Sequence, residues 1–168
     1  MPIDFILNQF TIMATYQFYK EQVLNASMEQ LWDFISSPAN LKKITPSYMG
    51  FDITTKYLPE KMYQGMMISY KISPIPGFKS NWLTEITHVD PGKYFVDEQR
   101  SGPYKIWHHE HKLIPTKKGV LMTDLITYEP PFGILGKVAN ALLIKNKLEE
   151  IFTYRRNKLI DLFGEVID

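Results

Sequence analysis

The chain has 168 residues, enough for one domain around one core, with 45% hydrophobic, 22% charged and 14% aromatic residues. Its 19 basic and 18 acidic residues leave a net charge of +1 with no basic stripe, which excludes the electrostatic footprint that nucleic acid or an anionic membrane surface requires. The lack of cysteine excludes disulfides, thiolate nucleophiles and cysteine metal sites.

Residues 1–12, MPIDFILNQFTI, carry Asp4 inside an apolar stretch and no basic leader, so they fail as a secretory signal. They read as an extension before a second candidate start, Met13, and residues 13–168 as a single domain. No apolar run approaches the roughly 20 residues of a membrane span. A cytoplasmic protein without stable membrane insertion is expected; the sequence leaves its oligomeric state open.

Tyr16 to Val23 mixes apolar and polar positions as a strand does. NASMEQLWDFISSP then predicts a helix, with Ser27 and Gln30 spaced as a capping box and Met28, Leu31, Trp32 and Ile35 at helical spacing. ANLKKITP predicts a second short helix, stopped by Pro46. Beyond it the pattern alternates, predicting six strands near 50–56, 66–73, 80–88, 93–100, 105–114 and 119–129. LPEKMYQG, PIPG, DPGK, RSGP and PTKKG separate them.

From about residue 132 to 163 helical spacing returns through Ile134, Val138, Ala141, Leu142, Leu148, Ile151, Phe152, Leu159 and Leu162. A single helix there is roughly 45 Å long, unless Asn146 and its neighbours bend it. The expected class is therefore α+β: a curved antiparallel sheet of about seven strands, two short helices after the first, and one long C-terminal helix. That helix must cover the concave face of the sheet, since no other element is available to do so.

Strand alternation sets Trp107, His109, His111 and Leu113 on one face and His108 and Glu110 on the other. For the next strand to bury Val120, Met122, Asp124, Ile126 and Tyr128, position 113 must pair with 122, 111 with 124, 109 with 126 and 107 with 128. His111 and Asp124 then become cross-strand neighbours. Treating the preceding strands alike gives an inner wall with polar Asp97, Gln99, His109, His111 and Asp124 among Trp82, Phe95, Trp107, Met122 and Tyr128. Such groups must satisfy one another or face a cavity.

The runs ASMEQLWDFISSPANLKKITP, FVDEQRSGPYKIWHHEHKL, TDLITYEPPFGILG and IFTYRRNKL follow one another as in the START-like (SRPBCC) superfamily. The chain resembles most its polyketide cyclase/coenzyme Q-binding branch, from about Tyr16 to Phe163. The resemblance implies a helix-grip fold with an apolar cavity between sheet and helix, and no metal or cofactor. Members bind lipids, isoprenoid quinones, sterols or polyketides, and some catalyse cyclisation or dehydration. By position, the motif falls on Asp97, Gln99, Gly102, Pro103, Trp107, His109, His111 and Asp124.

Three chemistries compete for the polar cluster. His-x-His with a facing carboxylate supplies three ligands suited to zinc or iron, but no fourth ligand is evident. The expectation is therefore no metal, with Asp124 fixing His111, and His109 bonded to Asp97, Gln99 or water. His111 and Asp124 also suit an acid-base pair in a cyclase or dehydratase, although no serine or cysteine nucleophile accompanies them. The favoured reading is a cavity for a hydrophobic small molecule such as a lipid, isoprenoid quinone or polyketide-like compound, held for transport or presentation.

The expected lining comprises Ile68, Tyr70, Trp82, Phe95, Asp97, Gln99, Trp107, His109, His111, Met122, Asp124 and Tyr128, with Leu142 and Leu148 from the helix. Arg155 is phased inward beside Ile151, Phe152 and Leu159. The loops SPIPGF and RSGPY are placed at the cavity mouth, His88 on the turn surface, and the apolar start of the last helix is a candidate for membrane contact. A protein-interaction module with an incidental core cavity is the third reading.

Overall fold

A computed structural model describes residues 15–75 and 78–166, without the side chains at 74, 75, 78, 134 and 137. The expectations for residues 1–12, Met13, Pro76, Gly77 and the side chains of Pro74 and Ile134 lie outside the described residues. Strand β1 (Tyr16–Leu24) leads into helix α1 (Met28–Ile35) and two 3-10 turns (Pro38–Ile44 and Ser47–Met49). The meander follows: β2 (Asp52–Ile53), β3 (Met67–Ile75), β4 (Phe78–Asp90), β5 (Tyr94–Ser101), β6 (Ile106–Pro115) and β7 (Val120–Glu129). The chain closes with α2 (Gly133–Ala139), a π turn (Asn140–Ile144) and α3 (Lys145–Phe163).

All seven strands form one sheet in the order β1-β7-β6-β5-β4-β3-β2, with antiparallel pairing throughout. Register shifts interrupt β3/β4 between Ile72 and Ile75, and β4/β5 at Leu83/Thr84 and Ile86/His88. Such bulges bend a strand and increase its twist, curling the sheet. Among the described residues no helix is long and apolar enough to cross a membrane.

Local chemistry accounts for the elements. Ser27 Oγ accepts the Gln30 N–H at 3.1 Å while Gln30 Oε1 accepts the Ser27 N–H at 2.9 Å, which starts α1 with a reciprocal cap. The strand expected over 50–56 shrinks to two residues. There the Thr54 and Thr55 N–H groups both donate to the Ser69 carbonyl, and Thr55 Oγ1 accepts the Ser69 N–H at 2.7 Å. A side chain thus replaces the ladder and ends the pairing.

The long helix departs from expectation more sharply. It is broken at the π turn rather than bent at Asn146, because Asn140 is pulled into the core, where its Oδ1 accepts the Tyr128 hydroxyl at 2.7 Å. A π turn adds a residue to the helical repeat. Burial therefore steps through Gly136, Asn140, Leu148, Phe152, Arg155 and Leu159. Val138 and Leu142, expected on the buried face, are 52% and 72% exposed. Gly136 lies against the Pro130-Pro131 corner, where a Cβ would stand 2.1 Å from the Pro131 carbonyl oxygen, so only glycine lets α2 approach this closely.

The main core gathers Leu31 and Ile35 of α1, Ile44 and Met49 of the turns, Phe51 just before β2, inward residues of β3 to β7, and Leu159. Phe18, Ile126, Tyr128, Leu148 and Phe152 form a second cluster where α3 crosses β1, β6 and β7. The polar cluster sits between the two.

Candidate functional site

The β6/β7 ladder pairs His111 with Asp124, His109 with Ile126, Trp107 with Tyr128 and Leu113 with Met122, the register that matching the two inner faces demands. On the other side β5 sets Asp97 opposite His109 and Phe95 opposite His111. Two histidines two residues apart on one strand are thus flanked by one carboxylate from each neighbouring strand, while Arg155 descends from α3.

The resulting cluster is closed and tight. Asp124 Oδ1 lies 3.0 Å from His109 Nε2, 2.9 Å from His111 Nδ1 and 3.4 Å from Arg155 Nη1. Asp97 Oδ2 lies 2.9 Å from His111 Nε2 and 3.4 Å from His109 Nδ1. The imidazole centroids are 3.8 Å apart. Phe95 stacks on His111 at 4.2 Å, and the Arg155 guanidinium lies over the Phe152 ring at 4.5 Å.

Burial and charge compete in each group's proton affinity. Burial and the neighbouring His111 charge push His109 down to about 4, against its bond to Asp124. Burial also penalises the His111 cation, but contacts with Asp124 and Asp97 outweigh this and raise its pKa. Burial works against the Asp97 and Asp124 carboxylates too. The histidines and Arg155 nevertheless hold both below the usual carboxylate range.

Two small cavities adjoin the cluster. One, of about 60 Å³, lies towards α1 and is lined by residues including Ile35, Ile68, Phe95 and Met122. The other, of about 120 Å³, lies beneath α3 and is lined by residues including Trp82, Tyr104, Trp107, Leu148 and Phe152. Tyr70, Asp97, His111, Arg155 and Leu41 line both. In the walls of the larger cavity, two buried donors, Trp82 Nε1 and Arg155 Nε, find no hydrogen-bond partner among the described residues.

The residues anticipated from sequence divide accordingly. Ile68, Tyr70, Trp82, Phe95, Asp97, Trp107, His109, His111, Met122 and Leu148 line one or both cavities. Asp124 stands behind the histidines, against a separate polar recess beside Lys20, Glu21 and Arg156. Tyr128 is buried in the second cluster, and Leu142 points outward.

Gln99 does not bond His109. Its amide turns sideways to the RSGPY loop, where Nε2 donates to the Tyr104 carbonyl at 2.5 Å and Oε1 accepts the Tyr104 N–H at 3.1 Å. His88 is exposed, but on β4, stacked against Tyr94. Arg155 is inward as phased, whereas exposed Arg156 pairs with Glu165. Sequence reasoning passed over Leu41 and Thr45, because nothing in ANLKKITP tells which side of a single 3-10 turn faces a cavity, and over Tyr104, which is held inward by Gln99.

Outside the larger cavity an apolar groove of about 350 Å³ runs along the start of the C-terminal helix, between Pro103, Pro131, Phe132, Leu135 and Leu143. Tyr104, Leu148 and Ile151 line both the groove and the cavity.

Solved structures share this fold. A protein from Chromobacterium violaceum superposes with a TM-score of 0.65 at 16% identity, covering 88% of this chain and 97% of the other. Ginseng major latex-like protein 151 from Panax ginseng gives 0.64 at 15% identity, covering 89% and 97%. The chain has a helix-grip fold. A norcoclaurine synthase point mutant from Thalictrum gives 0.63 at 15% identity, again covering 89% and 97%. The helix-grip fold expected from the sequence is thus the observed one, although no family model and no curated protein matches the chain.

Proposed function

We propose that this helix-grip protein binds a hydrophobic small molecule between sheet and C-terminal helix, for transport or presentation. The observation that carries this reading is the 120 Å³ cavity with an aromatic wall and two unpartnered buried donors, Trp82 Nε1 and Arg155 Nε. Each such donor costs roughly 1–3 kcal/mol while unpaired; both atoms lie just beneath the cavity surface, and an oxygen acceptor on a ligand satisfies them once the Trp82 and Arg155 side chains turn towards it. Affinity then comes from the aromatic wall and orientation from the two donors.

Volume narrows the ligand. At about 120 Å³ the cavity is smaller than the roughly 150 Å³ one that accommodates benzene, so a single compact ring bearing a carbonyl or carboxylate enters only with part of its bulk in the adjoining outer groove. A polyketide-like or quinone ring with a longer apolar tail fits only if the tail passes Tyr104, Leu148 and Ile151 into the outer groove. The norcoclaurine synthase neighbour is captured with a transition-state analogue, which supports ligand occupancy as a use of this fold. The cyclase or dehydratase reading is less favoured, because both nitrogens of His111 face carboxylates.

Native mass spectrometry of the purified chain tests the proposal. A retained organic adduct, released by solvent extraction, is the expected result. A chain with no adduct, and no saturable tryptophan fluorescence change on titration with compact aromatic ketones and carboxylates, would overturn it.

A further inference from the structure

The two histidines are arranged more specifically than a pocket wall requires. Each turns one nitrogen to Asp124, His109 through Nε2 and His111 through Nδ1, at 3.0 and 2.9 Å from the same oxygen. Their opposite nitrogens, His109 Nδ1 and His111 Nε2, converge on Asp97 Oδ2 at 3.4 and 2.9 Å. One ligand atom from each of Asp97, His109 and His111 lies within 4.8 Å of the other two. Around an ion bonded at about 2.0–2.1 Å, neighbouring ligand atoms stand roughly 3.0 Å apart in octahedral and 3.4 Å in tetrahedral geometry.

We propose that Asp97, His109 and His111 form a two-histidine, one-carboxylate site for a divalent first-row transition ion, with Asp124 orienting both imidazoles from behind. A ligating histidine commonly donates its other N–H to a carboxylate, which fixes the tautomer and aims the ring. Here Asp124 is hydrogen-bonded to His109 Nε2, lies 2.9 Å from His111 Nδ1, and is itself offset by Arg155. Only two of the four histidine–carboxylate contacts have hydrogen-bond geometry, His109 Nε2 to Asp124 and His111 Nε2 to Asp97; His109 Nδ1 stands 3.4 Å from Asp97 Oδ2 and His111 Nδ1 2.9 Å from Asp124 Oδ1 without it.

The three ligands sit on adjacent strands, β5 and β6, and His111 is further held by the Phe95 ring. The site is therefore preorganised, and all three residues line the 120 Å³ cavity, which leaves room beside them for a water or ligand atom to complete the coordination. The expectation of no metal rested on the want of a fourth protein ligand and on a resemblance that implies none, but an open site needs only three. Imidazole with carboxylate suits zinc or ferrous iron.

The test uses the full chain purified without a histidine tag, stripped with chelator and titrated with Zn²⁺ and, separately, Co²⁺. One equivalent of either ion should bind, Co²⁺ developing a visible ligand-field spectrum that Zn²⁺ abolishes. Asp97→Ala and His109→Ala should lose the spectrum, and Asp124→Asn should weaken binding about 10–100-fold, as for other groups behind a metal ligand.

A wild-type chain that takes up no ion overturns the proposal whether or not the variants fold, as does binding that Asp97→Ala leaves unchanged. No organic molecule enters this titration, and the adduct experiment is repeated on chelated protein. The two readings therefore stand or fall separately.

Discussion

Three nitrogens, from His109, His111 and Arg155, crowd one buried oxygen of Asp124, and replacing it removes the only carboxylate paired with Arg155 among the described residues and leaves both histidines with Asp97 alone. Breaking such a cluster from one side costs about 3–5 kcal/mol. Asp124→Ala should therefore unfold at a correspondingly lower urea concentration without a change in the slope of the transition. A smaller and more local effect belongs to Gly102, where an added Cβ would stand 2.4 Å from Gln99 Oε1. Gly102→Ala should displace the Gln99 amide from Tyr104, costing about 1–3 kcal/mol and speeding hydrogen exchange at the Tyr104 N–H. The Asp124 and His111 pairing was legible because strand register has a period of two and admits no half-slip. The role of Gln99 was not, since alternation gives the face of a side chain but not the loop to which a long amide turns.

At the scale of elements, the strands follow from turn chemistry and alternation, whereas the C-terminal helix was only half legible. Its second half keeps the phase of Leu148, Phe152, Arg155 and Leu159. Its first half does not, because the bond from the Tyr128 hydroxyl to Asn140 draws in a polar residue that periodicity assigns to no apolar face. A pair of substitutions separates the two phases. Leu148→Ala, at a position 4% exposed, should cost about 2–5 kcal/mol, while Leu142→Glu should stay within about 0.5 kcal/mol of the parent. Equilibrium denaturation measures both, and equal losses would mean that the π turn is misplaced.

Across the whole molecule, a curved sheet and a broken helix enclose apolar space with one polar focus. The fold was legible from element order and from the motif around WHHEH; the size of the cavity was not. Volume depends on how large side chains such as Tyr70, Trp82 and Trp107 interlock, and they leave 120 Å³ where a longer ligand needs several times that. The account thus commits to a compact, oxygen-bearing ring. Its most direct test is the indole N–H resonance of Trp82 during titration with acetophenone and benzoate. The account predicts a saturable downfield shift of that proton, lost in Trp82→Phe together with most of the affinity. A resonance unmoved by either compound up to its solubility limit would contradict it.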